Sequence, residues 1–298
     1  MFRSFALLLV LGSFLPAQQL PVTLDRRVQS SIRDFPAKVF IYAKHLASGA
    51  TYSLNGDAAV RTASTIKLPI MIECFAEAAE GKINLHNDQI ELVENEKVSG
   101  SGILQDLSNG IHLPMRDLIE LMIVLSDNTA TNLVLNRIGG NAVNARMESL
   151  GLVQTRCMRK VLRGDTASGV TAEGAKPENK RWGLGRSSPH EMVALLEKLN
   201  GGELVNKQSS EEMIKILKQQ RERTGIARDL RDVTVANKSG ALDHLRSDVG
   251  IVWTKGGPIA MAITVDDVPE VNWTPDNPAL LLISELSQIL IDELPGRH

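Results

Sequence analysis

Three short polar clusters carry the residue types that could do chemistry: Ser64-Thr-Ile-Lys67, Ser126-Asp-Asn128 and Lys238-Ser-Gly240. If Ser64 opens a helix, Lys67 shares its face, which puts an amine beside a hydroxyl. A serine hydroxyl is a weak nucleophile at neutral pH. A lysine crowded by another cation, or partly desolvated, loses its charge and can accept the hydroxyl proton. Ser-x-x-Lys alone is a pattern that chance supplies often. The order and spacing say more, because the second cluster follows the first by 62 residues and the third follows the second by 112.

Each cluster lies at the edge of a predicted regular element. The run after Ser64 through Ile70, Met71, Cys74, Phe75 and Ala78 reads as a helix, with Pro69 removing a backbone donor near its start. Leu113 to Leu125 is apolar nearly all round and reads as a buried helix, and Thr129 to Ile138 resumes the period until Gly139-Gly140 stops it. Ser126-Asp-Asn128 is thereby placed at depth between two buried helices. Lys238 closes a predicted strand, Val233 to Lys238, which Asp248 to Trp253 and Ile259 to Val265 follow.

Upstream, Val22 to Phe35 reads as a helix, and Lys38 to Lys44 with Ala50 to Leu54 reads as a hairpin turning at Ser48-Gly49. Asn141 to Leu150, Pro189 to Leu199, Glu211 to Lys218 and the closing Ala279 to Leu294 are further helices, while residues 156 to 188 break every period. Strands at both ends with helices between them imply an α+β fold. One antiparallel five-stranded sheet is flanked by terminal helices, and an all-helical lobe is inserted. The expected boundaries are an α/β lobe of residues 22–63 and 225–298 and a helical lobe of residues 64–224, with a cleft between them as the natural pocket.

The 298 residues, 43% hydrophobic and 23% charged with a formal net charge of −2, give no basic excess that would suggest nucleic acid or an anionic membrane. A small or neutral partner is expected. Arg3 followed by the apolar run Phe5 to Pro16 reads as a secretory signal over residues 1–17, with an uncleaved amphipathic anchor as the alternative. The mature chain, 22–298, is then expected in the periplasm or cell exterior, without a stable membrane span. Two cysteines, Cys74 and Cys157, make no disulfide framework, although one bridge is open to them. The histidines are scattered, so neither metal nor cofactor is implied. No helix shows a surplus apolar face, and a monomer is expected.

The ordered set of clusters, with the lead-in Leu121-Met-Ile-Val-Leu125 and the continuation Thr129-Ala-Thr-Asn132, resembles the class A β-lactamase and penicillin-binding protein superfamily of active-site serine enzymes. The likeness runs from Lys38 to the carboxyl end. It implies that Ser64 forms an acyl-enzyme, that Lys67 relays its proton, and that Ser126 protonates the departing nitrogen. Lys238 then supplies positive charge, Asn128 binds an amide, and Ser239 binds a carboxylate, with Arg246 either assisting or simply solvated at the surface. The backbone N–H groups of Ser64 and Ala241 would form the oxyanion hole, and Gly240 would let substrate lie along the strand. Asp127 more readily holds the tripeptide through backbone hydrogen bonds.

One departure stands out. Class A enzymes carry a glutamate on the omega loop that activates the deacylating water, and here Val161 falls at that position, just after Arg159. Glu173 and Glu178 lie in the same loop, and Glu178-Asn179 is the better candidate for the base. The resemblance implies a secreted hydrolase that opens β-lactam rings, a role associated with antibiotic resistance. The alternatives are a D-alanyl-D-alanine peptidase or penicillin-binding protein with slow deacylation, and a non-catalytic domain that binds cell-wall peptide.

Overall fold

A computed structural model describes residues 22–163 and 169–295; the expected signal peptide lies outside the described residues. Helix α1 (Val22–Ile32) precedes strands β1 (Lys38–His45), β2 (Thr51–Leu54) and β3 (Val60–Arg61), and a 3-10 turn, Ala63–Ile66, leads into α2 (Lys67–Ala79). Then come β4 (Gln89–Glu91), β5 (His112–Pro114), α3 (Met115–Val124), α4 (Asn128–Ile138), α5 (Gly140–Ser149), β6 (Arg156–Cys157) and β7 (Gly185–Ser187). The chain continues through α6 (Pro189–Asn200), α7 (Lys207–Lys218), β8 (Thr234–Leu242), β9 (Leu245–Thr254), β10 (Gly257–Asp266) and α8 (Pro278–Glu293).

The main sheet has the order β2-β1-β10-β9-β8 and is antiparallel throughout, the five-stranded sheet expected from the terminal strands. Its strands are covered on both faces, which explains why β10 reads as an almost continuous apolar run. Ile259, Met261, Ile263 and Val265 enter a core with Leu24 and Val28 of α1 and Leu282, Ile283, Leu286 and Leu290 of α8. Ala260 and Ala262 point the other way, into the larger core built from α2, α3, α4, α6 and α7. Successive strand residues alternate faces, and the same alternation places Ala236 and Lys238 of β8 on the face toward those helices while Val235 and Asn237 face α1 and α8.

Helix α2 is buried from Lys67 to Glu77, so it is the central member of the larger core. Pro69 falls on its third residue, inside the first turn, where an N–H has no intrahelical acceptor to lose. The span 64–224 is mainly helical and also carries four short strands: β4 pairs with β5, and β7 pairs with β6 and with β3. Cys74 and Cys157 are both buried free thiols. Burial pushes the Cys157 thiol up to about 12 and the Cys74 thiol well above its ordinary range, so neither is reactive. Among the described residues no helix is long and apolar enough to cross a membrane.

Candidate active site

The three polar clusters converge on one cleft of about 820 Å³, whose lining includes Ser64, Ser126, Asn128, Ser239, Gly240, Ala241 and Arg246. Ser64 is half-buried in the turn before α2. The preceding Ala63 is buried and has φ 46°, and Ser126 has φ 53°. A non-glycine residue held in the left-handed region costs about 1–2 kcal/mol, so the hydroxyls of the first two clusters are both presented by strained backbone that the surrounding packing enforces.

Lys67 and Lys238 are fully buried and meet at Ser126. Lys67 Nζ donates to the carbonyl oxygen of Ser126 at 2.7 Å, to Ser126 Oγ at 3.1 Å and to Asn128 Oδ1 at 3.1 Å. Lys238 Nζ reaches the same Ser126 Oγ at 3.1 Å and donates to the carbonyl of Ser239 at 2.8 Å. One hydroxyl is therefore bracketed by two amines. Burial holds Lys67 well below the ordinary lysine range, and the positive charge of Lys238 lowers it further, against a smaller opposing pull from Asp127. Burial also brings Lys238 down to about 8, opposed by the carboxylates of Asp248 and Glu222. Burial therefore disfavours the charge on both amines, and Lys238 presses directly on Lys67.

Asp127 holds the second cluster in place. Its side chain caps α4 by accepting from Ala130 N at 2.8 Å, and its other oxygen accepts from Ile103 N at 2.7 Å and Leu104 N at 3.0 Å. Gly102 is required there, because a Cβ would lie 2.2 Å from the Asp127 carboxylate and the residue has φ 103°. Asn128 spans the cleft wall, accepting from Lys67 and donating to the carbonyl of Ser99 at 3.1 Å.

Gly240 also meets a packing need. A Cβ there would meet the carbonyl of Thr62 at 2.7 Å and the amide nitrogen of Ser64 at 3.1 Å. The glycine lets β8 pack directly against the turn that carries Ser64. Gly240→Ala is expected to lower Ser64 acylation at least tenfold and to destabilise the fold by about 1–3 kcal/mol, which kinetics and denaturant unfolding would check; unchanged acylation would refute it.

Arg246 is buried and not a solvated surface group. Its guanidinium donates to the carbonyls of Leu242, Leu245 and Asn272 and lies 4.7 Å from the Trp273 ring, while burial lowers its pKa. It lines the cleft as a fixed cation. Glu178, the expected water-activating base, is exposed in the 3-10 turn Pro177–Trp182 and is not among the residues lining the cleft. Glu173 is occupied by Lys176 and by Asn179, whose amide donates to it at 2.7 Å. Loop spacing could not reveal that neither carboxylate lines the cleft.

The residue that does line the cleft from this loop is Val161. Buried Asn132 of α4 clasps its main chain, accepting from Val161 N at 2.8 Å and donating to Val161 O at 2.9 Å. Sequence reading assigned Asn132 no role, although an amide inside a buried helix demands partners. Leu162 and Leu184 join Val161 in the lining, and among the described residues Glu222 is its only carboxylate.

A family model described as the beta-lactamase enzyme family matches residues 23–294, and the chain belongs to that family. Among solved structures, a β-lactamase from Sphaerobacter thermophilus is 27% identical, with a TM-score of 0.78 over 91% of this chain and 96% of that one. A leucine-to-glutamate variant of PBP-A, an acyl-enzyme complex with penicillin-G, is 25% identical, with a TM-score of 0.78 over 93% and 98%. A variant of the last common ancestor of Gram-negative class A β-lactamases is 22% identical, with a TM-score of 0.76 over 90% and 97%, a likeness of fold.

Proposed function

We propose that this protein is an exported serine acyl-transfer enzyme whose Ser64 is acylated by β-lactams and by D-alanyl-D-alanine-type peptides, and that its β-lactam adduct is long-lived. The observation that carries this reading is the pairing of a complete acylation apparatus with a cleft wall formed at Val161, where a deacylating enzyme needs a carboxylate. Two buried amines bracketing one hydroxyl have no use in a domain that only binds peptide. Export rests on the amino-terminal apolar run.

Neutral Lys67 accepts the Ser64 proton as Oγ adds to the substrate carbonyl. The N–H groups of Ser64 and Ala241 stabilise the oxyanion, a contribution of about 3 kcal/mol for one such donor. The C–N bond then breaks, the nitrogen takes the proton of Ser126 Oγ, and Ser126 recovers one from the Lys67 ammonium beside it. An ester on Ser64 remains, and hydrolysis requires a water activated by some other base. Penicillin-G is held as an acyl-enzyme by the similar PBP-A variant, which supports the same covalent step here.

Incubation with labelled penicillin should give a persistent covalent mass on Ser64 with little turnover of a chromogenic cephalosporin, and Ser64→Ala should abolish labelling. Rapid turnover would establish a hydrolytic β-lactamase instead, and undiminished labelling of Ser64→Ala would show that the nucleophile is another residue.

The pH profile separates activity from stability. Lys238 attracts an anionic substrate only while protonated, so acylation is expected to fall about tenfold as pH rises through about 8, its lowered value. Its folded-state value lies below that of the unfolded chain, so the cost of burying its charge is fully present below about pH 8 and lifts above it. This lysine therefore predicts declining acylation between pH 7.5 and 9 without a matching decline in melting temperature. A parallel loss of both would contradict the assignment.

A further inference from the structure

Among the described residues, Glu222 is the only carboxylate lining the cleft, and the acylation chemistry makes no use of it. The segment that carries it is built into the wall beside Ser126. Buried Gln220 donates through Nε2 to the carbonyl of Ile123 at 2.9 Å and accepts from Glu222 N at 2.9 Å, while Arg221 N donates to the carbonyl of Val124 at 3.2 Å. Ile123 and Val124 are the last residues of α3, directly before Leu125 and Ser126. Thr224 Oγ1 donates to Glu222 Oε1 and fixes the carboxylate. Glu222 also lies within the electrostatic range of Lys238, Arg246 and Asp248. These contacts anchor its segment, distinct from that of Val161 and Leu162, against the end of α3 that leads into Ser126.

From this geometry we propose that Glu222 is a specificity-determining residue, the counter-charge for a positively charged group on the leaving-nitrogen side of the substrate. The inference rests on the acylation reading above and names the substrate class that site prefers. The substrate carboxylate is matched by Lys238 and Ser239. Arg221 is exposed in the lining and Arg246 is spread over three carbonyls and a tryptophan face, so among the described lining residues Glu222 is the one negative charge set beside these cations. A substrate that adds an ammonium or pyridinium to its carboxylate finds both charges answered. Two unit charges meeting at a partly hydrated surface change a rate constant by several-fold, and salt screens the effect.

The test uses two cephalosporins with the same acyl side chain, one bearing a pyridinium-methyl group next to the ring carboxylate and the other an uncharged acetoxymethyl group. Second-order acylation constants for Ser64 are measured by quenched-flow mass spectrometry on the intact protein. The ratio of the cationic to the neutral compound is expected to fall roughly fivefold in Glu222→Gln and further in Glu222→Lys, and the difference between wild type and Glu222→Gln should shrink at high salt. Acylation of both compounds at a ratio unchanged by Glu222→Gln overturns this inference alone. Absence of any adduct with either compound overturns the acylation reading and this inference with it.

Discussion

Replacing Lys67 by methionine is expected to slow Ser64 acylation about a thousandfold, the middle of the range for loss of a positioned general base, while the protein remains folded. The amine is buried, and desolvation and Lys238 both disfavour its charge, so a linear apolar side chain of similar length fills its space. The change strands the Ser126 carbonyl and Asn128 Oδ1, each of which loses a donor at 2.7 or 3.1 Å. Leaving such groups unpaired costs about 1–3 kcal/mol. Removal of a buried ionisable group offsets that cost, so the melting temperature should stay within about 4 °C of wild type. Mass spectrometry of penicillin labelling against time, beside a thermal melt, reads both quantities. Labelling within tenfold of wild type would remove Lys67 from the proton path.

Val161→Glu is expected to shorten the lifetime of the penicillin adduct on Ser64 about a hundredfold and to create turnover of a chromogenic cephalosporin. Val161 is 7% exposed in the cleft lining, so a carboxylate introduced there is partly desolvated and its pKa rises toward the working range of a general base. The Asn132 clasp uses only the main chain of residue 161 and survives the change. An adduct that forms normally but decays at the wild-type rate would show that the obstacle to hydrolysis lies elsewhere than in this wall.

The acylation half of the site was legible because its chemistry sits in short segments whose spacing survives translation into a helix turn, an interhelical tripeptide and a strand. The strand ends were harder to read. Ser239-Gly240 and Arg246-Ser247 lie between the strands as the sequence reads them, yet β8 runs on to Leu242 and β9 begins at Leu245. Their polarity is met by partners that no linear pattern displays, such as Asn237 Nδ2 donating to Asp248 Oδ1 at 2.9 Å. Arg246 reads as a surface group on composition and is buried because three carbonyls and Trp273 enclose it. The omega loop failed for the opposite reason. Glu178 beside Asn179 fits the class A pattern in composition, but a 3-10 turn that buries Asn179 and Trp182 leaves Glu178 facing solvent.

The clasp between Asn132 and residue 161 has a consequence for how this protein can diverge. Both hydrogen bonds fall on backbone atoms of residue 161, so the tether does not depend on which side chain the position carries. On the acylation reading proposed above, the lifetime of the adduct is then free to change at this one codon while the loop keeps its anchor.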